Sequence, residues 1–257
     1  NWLITGRCQM ACKYCYAEDL MRGRVAEPSL PQLEAVAERL LSYGPVAVVL
    51  TGGDPLASPH LVPLIERLSG RIGLVVDTNG LAVSDEHIQA FARHGVVVRV
   101  SLDSERPSEN EKFRQRSTRA KRGESSPTAT AVSAIIRLLD AGVTTSVQTV
   151  ATKYSASDLV SLGDKLYRMG VRSWRIHRVA SSAENGAGYA RAKIGDKAFN
   201  HGVALVQRAL RCDWGHDFAI QFAGNEQRNS VILVGPDGRF FTERQPVLMN
   251  SRTSASK

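Results

Sequence analysis

Apolar residues along this chain fall into blocks of two kinds, set by two different periods. Short runs rich in valine, isoleucine and leucine are too brief and too β-branched for helices, and they predict buried strands. They lie at Leu3 to Thr5, Val46 to Leu50, Ile72 to Val76, Val96 to Leu102, Val143 to Ala151 and Val171 to Val179. Between them, apolar positions recur at helical spacing. Leu33, Val36, Ala37, Leu40 and Leu41 share one face; Ser29 with Gln32 forms a capping-box signature before them, and Gly44 stops the helix. Ser58-Pro59 predicts the start of a helix carrying Leu61, Leu64, Ile65 and Leu68 and ended by Gly70. Ser84 opens another with Ile88, Phe91 and Ala92, closed by Gly95. Val132, Ile135, Ile136 and Leu139 mark a fourth, ending near Gly142. Ser157 is expected to cap a fifth, with Leu159, Val160, Gly163 and Leu166, stopped at Gly170.

Six strands joined by helices force parallel neighbours and right-handed crossovers. The expected fold is therefore α/β: a partial (β/α)6 TIM-like barrel over residues 1–180, with its chemistry at the carboxyl ends of the strands. Residues 181–257 read as a C-terminal extension. It comprises a loop broken by Gly186, Gly188 and Gly195, then a helix from Asp196 with Phe199, Val203, Val206 and Leu210. A β-hairpin of Val231 to Val234 and Arg239 to Thr242 turns at Gly235-Pro236-Asp237-Gly238, and a polar tail runs from Ser251 to Lys257.

Composition is that of an ordinary globular protein, and 257 residues can bury a sizeable core. No apolar run approaches the roughly 18 residues that would span a membrane, and no leader opens the chain, so a cytoplasmic location is expected. The start at Asn1-Trp2, without methionine and already inside a strand, implies that the numbering begins partway into a longer protein. The formal net charge of +8 suggests a polyanionic partner. Much of that excess is local: Lys112, Arg114, Arg116, Arg119, Lys121 and Arg122 follow one another without an acid. Such a run suits phosphate or an acidic peptide, and suits a solvated loop equally well.

Three of the four cysteines, Cys8, Cys12 and Cys15, lie within one short run that also holds Tyr14 and Tyr16. Clustered thiolates are soft ligands, fit for iron–sulfur, zinc or copper. A structural zinc normally closes with four protein ligands, and a four-iron cluster normally takes four cysteines. Cys212 lies far off in sequence, so three thiolates on this loop would leave one iron of a cubane open. Zinc completed by a distant histidine or by Cys212 is the alternative. A chance core cluster fits poorly beside Arg7, Gln9 and Lys13. Small and polar residues gather after the later strands as well, at Thr51-Gly52-Gly53-Asp54-Pro55, Asp77-Thr78-Asn79-Gly80 and Ser101-Leu102-Asp103.

The spacing Cys8-x3-Cys12-x2-Cys15 with Tyr14, followed by Gly52-Gly53-Asp54-Pro55, resembles the radical S-adenosylmethionine superfamily over residues 1 to about 180. The resemblance implies a 4Fe–4S cluster on Cys8, Cys12 and Cys15, whose open iron chelates S-adenosyl-L-methionine. It implies cosubstrate contacts from Tyr14, Gly52, Gly53, Asp54, Thr78, Asn79, Ser101, Asp103, Arg114 and Val150. Among these, the backbone at Gly52 and Gly53 would approach the amino group, and Ser101 and Asp103 the ribose or methionine part. The apolar face around Val147 to Val150 and the backbone from Tyr14 to Tyr16 would hold adenine. Arg114 would pair with the carboxylate, with Arg116 its competitor. His177 and Arg116 are candidates for substrate or catalysis.

The implied reaction is reductive cleavage to a 5′-deoxyadenosyl radical that abstracts hydrogen from a peptide or small-molecule substrate, fed by an external one-electron donor of flavodoxin or ferredoxin type. The enzyme class is oxidoreductase or lyase. Neither nucleic acid nor membrane is an expected partner. The hairpin from Gly235 to Phe241 is similar to the lead-in of SPASM-type peptide-modifying members, although the cysteines of their auxiliary clusters are missing. Glu184-Asn185-Gly186, Ile194-Gly195-Asp196 and Asn225 to Ser230 are similar to viperin-type nucleotide dehydratases, although that group's lysines are not evident. From another class, a non-enzymatic metal- or Fe–S-bearing module could bind nucleic acid through Lys112 to Arg122. It would have no use for Gly52-Gly53-Asp54.

Overall fold

The computed structural model describes residues 1–15, 17, 26–117, 124–179, 187–223, 232–235, 237–242 and 245–246. The six expected strands are present as β1 (Trp2–Leu3), β2 (Ala47–Thr51), β3 (Gly73–Thr78), β4 (Val97–Ser101), β5 (Thr145–Ala151) and β6 (Ser173–Arg178). They are followed by β7 (Ala219–Ala223), β8 (Ile232–Val234), β9 (Phe240–Thr242) and β10 (Gln245–Pro246). All lie in one open sheet, ordered β10-β9-β8-β1-β2-β3-β4-β5-β6-β7. From β8 through β7 every neighbour is parallel, while β9 and β10 turn back antiparallel at one edge. The result is the α/β, partial-barrel fold that the alternation of elements required.

The helices are α1 (Leu30–Ser42), α2 (Leu61–Leu68), α3 (Asp85–His94), α4 (Pro107–Asn110), α5 (Pro127–Asp140), α6 (Leu159–Arg168), α7 (Ala187–Ala192) and α8 (Asp196–Cys212). Side chains on a strand alternate between faces, and burial follows that alternation. In β6, Trp174 and Ile176 are wholly buried with Leu159, Leu162 and Leu166 of α6, whereas Arg175 and His177 take the other face and are half-buried. In β4, Val98 and Val100 are buried and Arg99 and Ser101 are not. One face thus seals against helices, and the concave face carries polar groups. Gly163 in α6 lets the layers meet: a Cβ there would stand 2.3 Å from the Trp214 ring.

Helix ends follow their local chemistry. The Ser29 N–H donates to Gln32 Oε1 at 2.8 Å, the His87 N–H donates to Ser84 Oγ at 3.2 Å, and Gly95 ends α3 at φ 61°. Three expectations are corrected. Helix α2 begins at Leu61 rather than Ser58-Pro59, because Asp54 accepts from the Leu56 N–H and caps a separate 3₁₀ turn, Pro55–Ala57. Ser157 does not cap α6; it lies in a 3₁₀ turn, Ala156–Asp158, and Asp158 precedes the helix with its carboxylate held by Ser104 and Arg106. Gly188 lies inside α7 rather than in a loop, and that short helix is stabilised where Ala192 packs with Tyr14 and Phe113.

Strand β7 was not foreseen. The expected hairpin exists as β8 and β9, and it joins the main sheet, with Val234 opposite Trp2 of β1 and Phe240 buried against Tyr43 and Arg39. The readings made on Tyr16, Arg119, Lys121, Arg122, Glu184 to Gly186, Asn225 to Ser230, Val231, Pro236 and the polar tail lie outside the described residues. No helix among the described residues is long and apolar enough to cross a membrane.

Candidate active site

All the expected site residues from Cys8 to Val150 lie at or beside the carboxyl ends of β1 to β5. The loop leaving β1 is held by a partner segment far off in sequence. The Ala11 N–H donates to Gln115 O (2.7 Å), the Lys13 N–H to Phe113 O (2.8 Å), and the Ser117 N–H to Gln9 O (2.8 Å), with Met10 and Arg116 as an antiparallel bridge. The backbone of the cysteine loop is therefore pinned from Gln9 to Lys13.

Cys8, Cys12 and Cys15 are half-buried on this loop and form no disulfide. The Met10 N–H donates to Cys8 Sγ at 3.3 Å, and Asn79 Nδ2 reaches the same sulfur at 3.8 Å. Burial pushes the Cys8 thiol up to about 12. Burial also raises Cys12, against the pull of the nearby Arg114 guanidinium. Thiols in such surroundings ionise when a cationic centre takes up the charge. Among the described residues no three His, Cys, Asp or Glu side chains converge as a single-ion site requires. The thiolates of a cubane go to separate irons, and three spaced, backbone-braced thiols fit that group.

Gly52, Gly53 and Asp54 pack against the root of the loop. The Gly53 N–H donates to Thr5 O (2.9 Å) and the Asp54 N–H to Arg7 O (2.7 Å). A Cβ on Gly53 would lie 2.1 Å from Arg7 O, and one on Gly52, at φ 146°, would lie 2.4 Å from Thr5 O. Both glycines serve backbone-to-backbone approach, since any side chain would drive the loop away. Asp54 is buried and accepts from Thr78 Oγ1 (2.9 Å), the Asn79 N–H (2.6 Å) and the Leu56 N–H (3.0 Å). Burial pushes its carboxyl up to about 6 in spite of those donors. The Thr78 hydroxyl is thus engaged by Asp54, while Asn79 turns its amide to Cys8 and to Gln9 Oε1 (3.3 Å).

The third group lies across the rim. The Tyr14 hydroxyl donates to Asp103 Oδ2, and the Val150 N–H donates to Oδ1 at 2.9 Å. Burial raises the Asp103 carboxyl and, with Asp103 beside it, lifts Tyr14 well above the ordinary phenol range. Arg114 is buried among them. Burial works against its charge, but Cys12, Tyr14 and Asp103 together hold it firmly protonated. Of the two competing arginines, Arg114 is the one beside Cys12, Tyr14 and Asp103. Arg116 instead donates to Ser125 O (3.0 Å) beside Glu124.

The Val150 side chain packs with Tyr14, Phe113 and Val179 into a small apolar patch. Ser101 Oγ accepts from Gln148 Nε2 at 3.4 Å on the concave face. His177 sits on that face opposite Val150 in the register; its Nε2 is buried without a hydrogen-bond partner, and burial, then Arg175 and Arg99, push it down to about 4. Sequence reasoning missed the brace from Phe113 to Ser117, because a single bridge across a hundred residues leaves no periodic trace. It also missed Arg175 and Gln148, which strand alternation places on the same face as His177 and Ser101.

A family model described as "Radical SAM superfamily" matches residues 2–165. The chain is 25% identical over 177 residues to "AdoMet-dependent heme synthase" of Nitratidesulfovibrio vulgaris, covering 68% of this chain and 46% of the relative. It is 34% identical over 113 residues to "GTP 3',8-cyclase" of Caulobacter vibrioides, covering 41% of this chain and 32% of the relative. It spans under half the length of these curated relatives. Streptococcus suis SuiB, solved with precursor peptide SuiA, superposes with TM-score 0.75 at 13% identity over 94% of this chain and 58% of SuiB. Native anSMEcpe, solved with AdoMet and the Kp18Cys peptide, gives 0.74 at 13% identity over 94% of this chain and 73% of that chain. At such identity these likenesses speak for the fold.

Proposed function

The chain belongs to the radical SAM superfamily, and we propose that it is an enzyme that holds a 4Fe–4S cluster on Cys8, Cys12 and Cys15 and abstracts hydrogen from an organic substrate. The observation that carries this reading is the cysteine loop itself, pinned on one side by Phe113 to Ser117 and on the other by Gly53 and Asp54. When bound, the cluster and S-adenosylmethionine supply one-electron reductive cleavage of a sulfonium and the hydrogen abstraction that follows from it.

The chain's own residues bind, orient and shield. The Met10 N–H and Asn79 Nδ2 point at Cys8 Sγ and favour its thiolate. Arg114, buried and firmly charged, suits the cosubstrate's carboxylate, and the Tyr14–Asp103 bond holds the loop beside it. Val150, with Tyr14 and Phe113, offers an apolar seat for a flat ring. The half-buried concave face below limits water, which a reactive carbon radical requires. Reduction would come from an external one-electron donor.

The substrate class is a peptide or a nucleotide. SuiB and anSMEcpe, alike over 94% of this chain, were solved with peptides, whereas the GTP 3',8-cyclases are alike in sequence over a smaller part. Anaerobic reconstitution with iron and sulfide tests the cluster. The reading expects about four irons per chain, lost when any one of Cys8, Cys12 and Cys15 becomes alanine and kept in Cys212→Ala. Retention of one tightly bound zinc and no iron–sulfide absorption would overturn it.

A further inference from the structure

The concave face of the sheet carries a charge that the site described above does not use. Ser101, Gln148, Arg175 and Gln221 lie in one row across β4, β5, β6 and β7. Val150 and His177 form the row above, and Asp77, Arg99 and Ser146 the row below. In the lower row Arg99 and Asp77 neutralise one another through a two-pronged pair of 2.5 and 2.8 Å, both side chains largely buried.

Arg175 has no hydrogen-bonded acid, and Asp77 attracts it only from a distance, against the repulsion of Arg99. The Arg175 Nε and Nη2 donate to the neutral amide oxygen Gln221 Oε1, at 3.1 and 2.8 Å, and no acid pairs with Arg175 among the described residues. Asp54 and Asp103, the acids at the rim above, are already engaged by Thr78 and Asn79 and by Tyr14 and Val150. Beside Arg175, the His177 Nε2 is buried and without a partner. That ring stays neutral at ordinary pH, pushed down by burial and by the two arginines. Among the described side chains of these three rows, Arg99 and Asp77 cancel, His177 adds nothing, and Arg175 remains.

We propose that Arg175, with His177 and Gln148 beside it, forms the seat for a single carboxylate of the substrate. The geometry and the charge favour that group. A guanidinium presents a planar fork that matches a carboxylate, and a half-buried cation without a counter-ion gains most from one anion of equal charge. A nucleoside triphosphate carries several negative charges and would need several cations, where the described side chains of these rows offer one. The row of Arg175 lies one step below Val150, whose side chain packs against Tyr14 of the cysteine loop. A carboxylate seated there leaves the rest of the substrate pointing up toward the cofactor rim. The substrate is thus a carboxylate-bearing molecule, such as a peptide presenting an acidic side chain or a free C-terminus. This inference rests on the proposed function, for it assigns the substrate of that same site.

Histidine-ring NMR of the reconstituted, oxidised protein, with His177 assigned through His177→Asn, tests the seat. The probes are N-acetylglutamic acid α-amide, which carries a side-chain carboxylate, N-acetylglycine, which carries a terminal one, and the neutral isostere N-acetylglutamine amide. Inorganic triphosphate stands for the nucleotide class. One or both carboxylates should shift the His177 signal, the tighter of the two naming the source, and the neutral isostere should not. Arg175→Gln should weaken carboxylate binding by about tenfold or more, with Arg175→Lys in between. Equal shifts from the acid and its neutral isostere, unchanged affinity in Arg175→Gln, or triphosphate binding tenfold tighter than either carboxylate would each overturn the proposal. The 5′-deoxyadenosine yield is scored on the same wild-type preparation. Cleavage without probe binding removes this seat alone, and binding without cleavage removes the enzymatic reading and, with it, the assignment of the carboxylate to a substrate.

Discussion

Tyr14 and Asp103, separated by 89 residues, are joined by a buried hydrogen bond from the tyrosine hydroxyl to Oδ2 of the carboxylate. This bond fastens the cysteine loop to the end of β4, and through Asp103 Oδ1 to the Val150 N–H of β5. Removing the hydroxyl leaves a buried acceptor short of one donor. Tyr14→Phe should therefore cost about 1–3 kcal/mol in urea unfolding. The double mutant with Asp103→Asn should show a coupling energy of about 0.5 kcal/mol or more; strict additivity would mean that the two residues do not act together.

Gly53 allows two backbones to touch. Gly53→Ala would place a Cβ 2.1 Å from Arg7 O and 3.0 Å from the Cys8 Cβ. The loop must then shift, at a cost of about 1–3 kcal/mol, and iron incorporation should fall with it. Gly195→Ala adds its Cβ to open space. It should change stability by about 1 kcal/mol or less. Thermal unfolding and iron content of the two variants, measured together, decide the point.

The two arginines that sequence could not separate should behave differently. Arg114→Met leaves Asp103 and the Tyr14 hydroxyl buried beside an apolar chain, and should destabilise by about 3–5 kcal/mol. Arg116 pairs with Glu124 at 4.0 Å near the surface. Arg116→Met should cost about 1 kcal/mol or less. Equal losses in chemical denaturation would contradict the placement of Arg114 in the site.

His177 makes stability depend on pH in a defined direction. Its folded value, about 4, lies below the ordinary 6.5, so between these values the unfolded chain binds more protons. Its contribution is complete above pH 6.5 and is lost as pH falls toward 4, on the order of 3 kcal/mol in all. Asp54, held near 6 against an ordinary 3.8, works in the opposite sense over much of that window. The difference between wild type and His177→Asn isolates the histidine: wild type should lose stability relative to the variant from pH 6.5 to pH 4. A flat difference would show that the ring is not held neutral.

Much of this architecture was legible because it depends on local pattern. β-branched runs and helical spacing gave six strands and their crossovers, and glycines and an acid after β2 marked the rim where the candidate site lies. What escaped depends on tertiary contact. The short run Ala219–Ala223, with small residues at both ends, carries little strand signal until β6 offers it a partner. The seat of β8 beside Trp2 is set by pairing across the whole chain. Within the candidate site, the residues named from sequence gather at one rim, while their hydrogen-bond partners did not follow from sequence. Thr78, expected at the cosubstrate, spends its hydroxyl on Asp54, and Asp103 receives Tyr14 and the Val150 N–H. Alternation could have set Arg175 on the face of His177, but only the pairing of Arg99 with Asp77 leaves Arg175 without a hydrogen-bonded acid among the described residues of that face.

The central claim is that Cys8, Cys12 and Cys15 arm this fold for reductive cleavage of S-adenosylmethionine. The most direct measurement is 5′-deoxyadenosine formation by the anaerobically reconstituted, dithionite-reduced protein supplied with S-adenosylmethionine. The account predicts that wild type and Cys212→Ala both form the product, and that Cys8→Ala, Cys12→Ala and Cys15→Ala do not. Absence of product from wild-type protein with a full complement of iron and sulfide, or product undiminished in the three alanine variants, would contradict it.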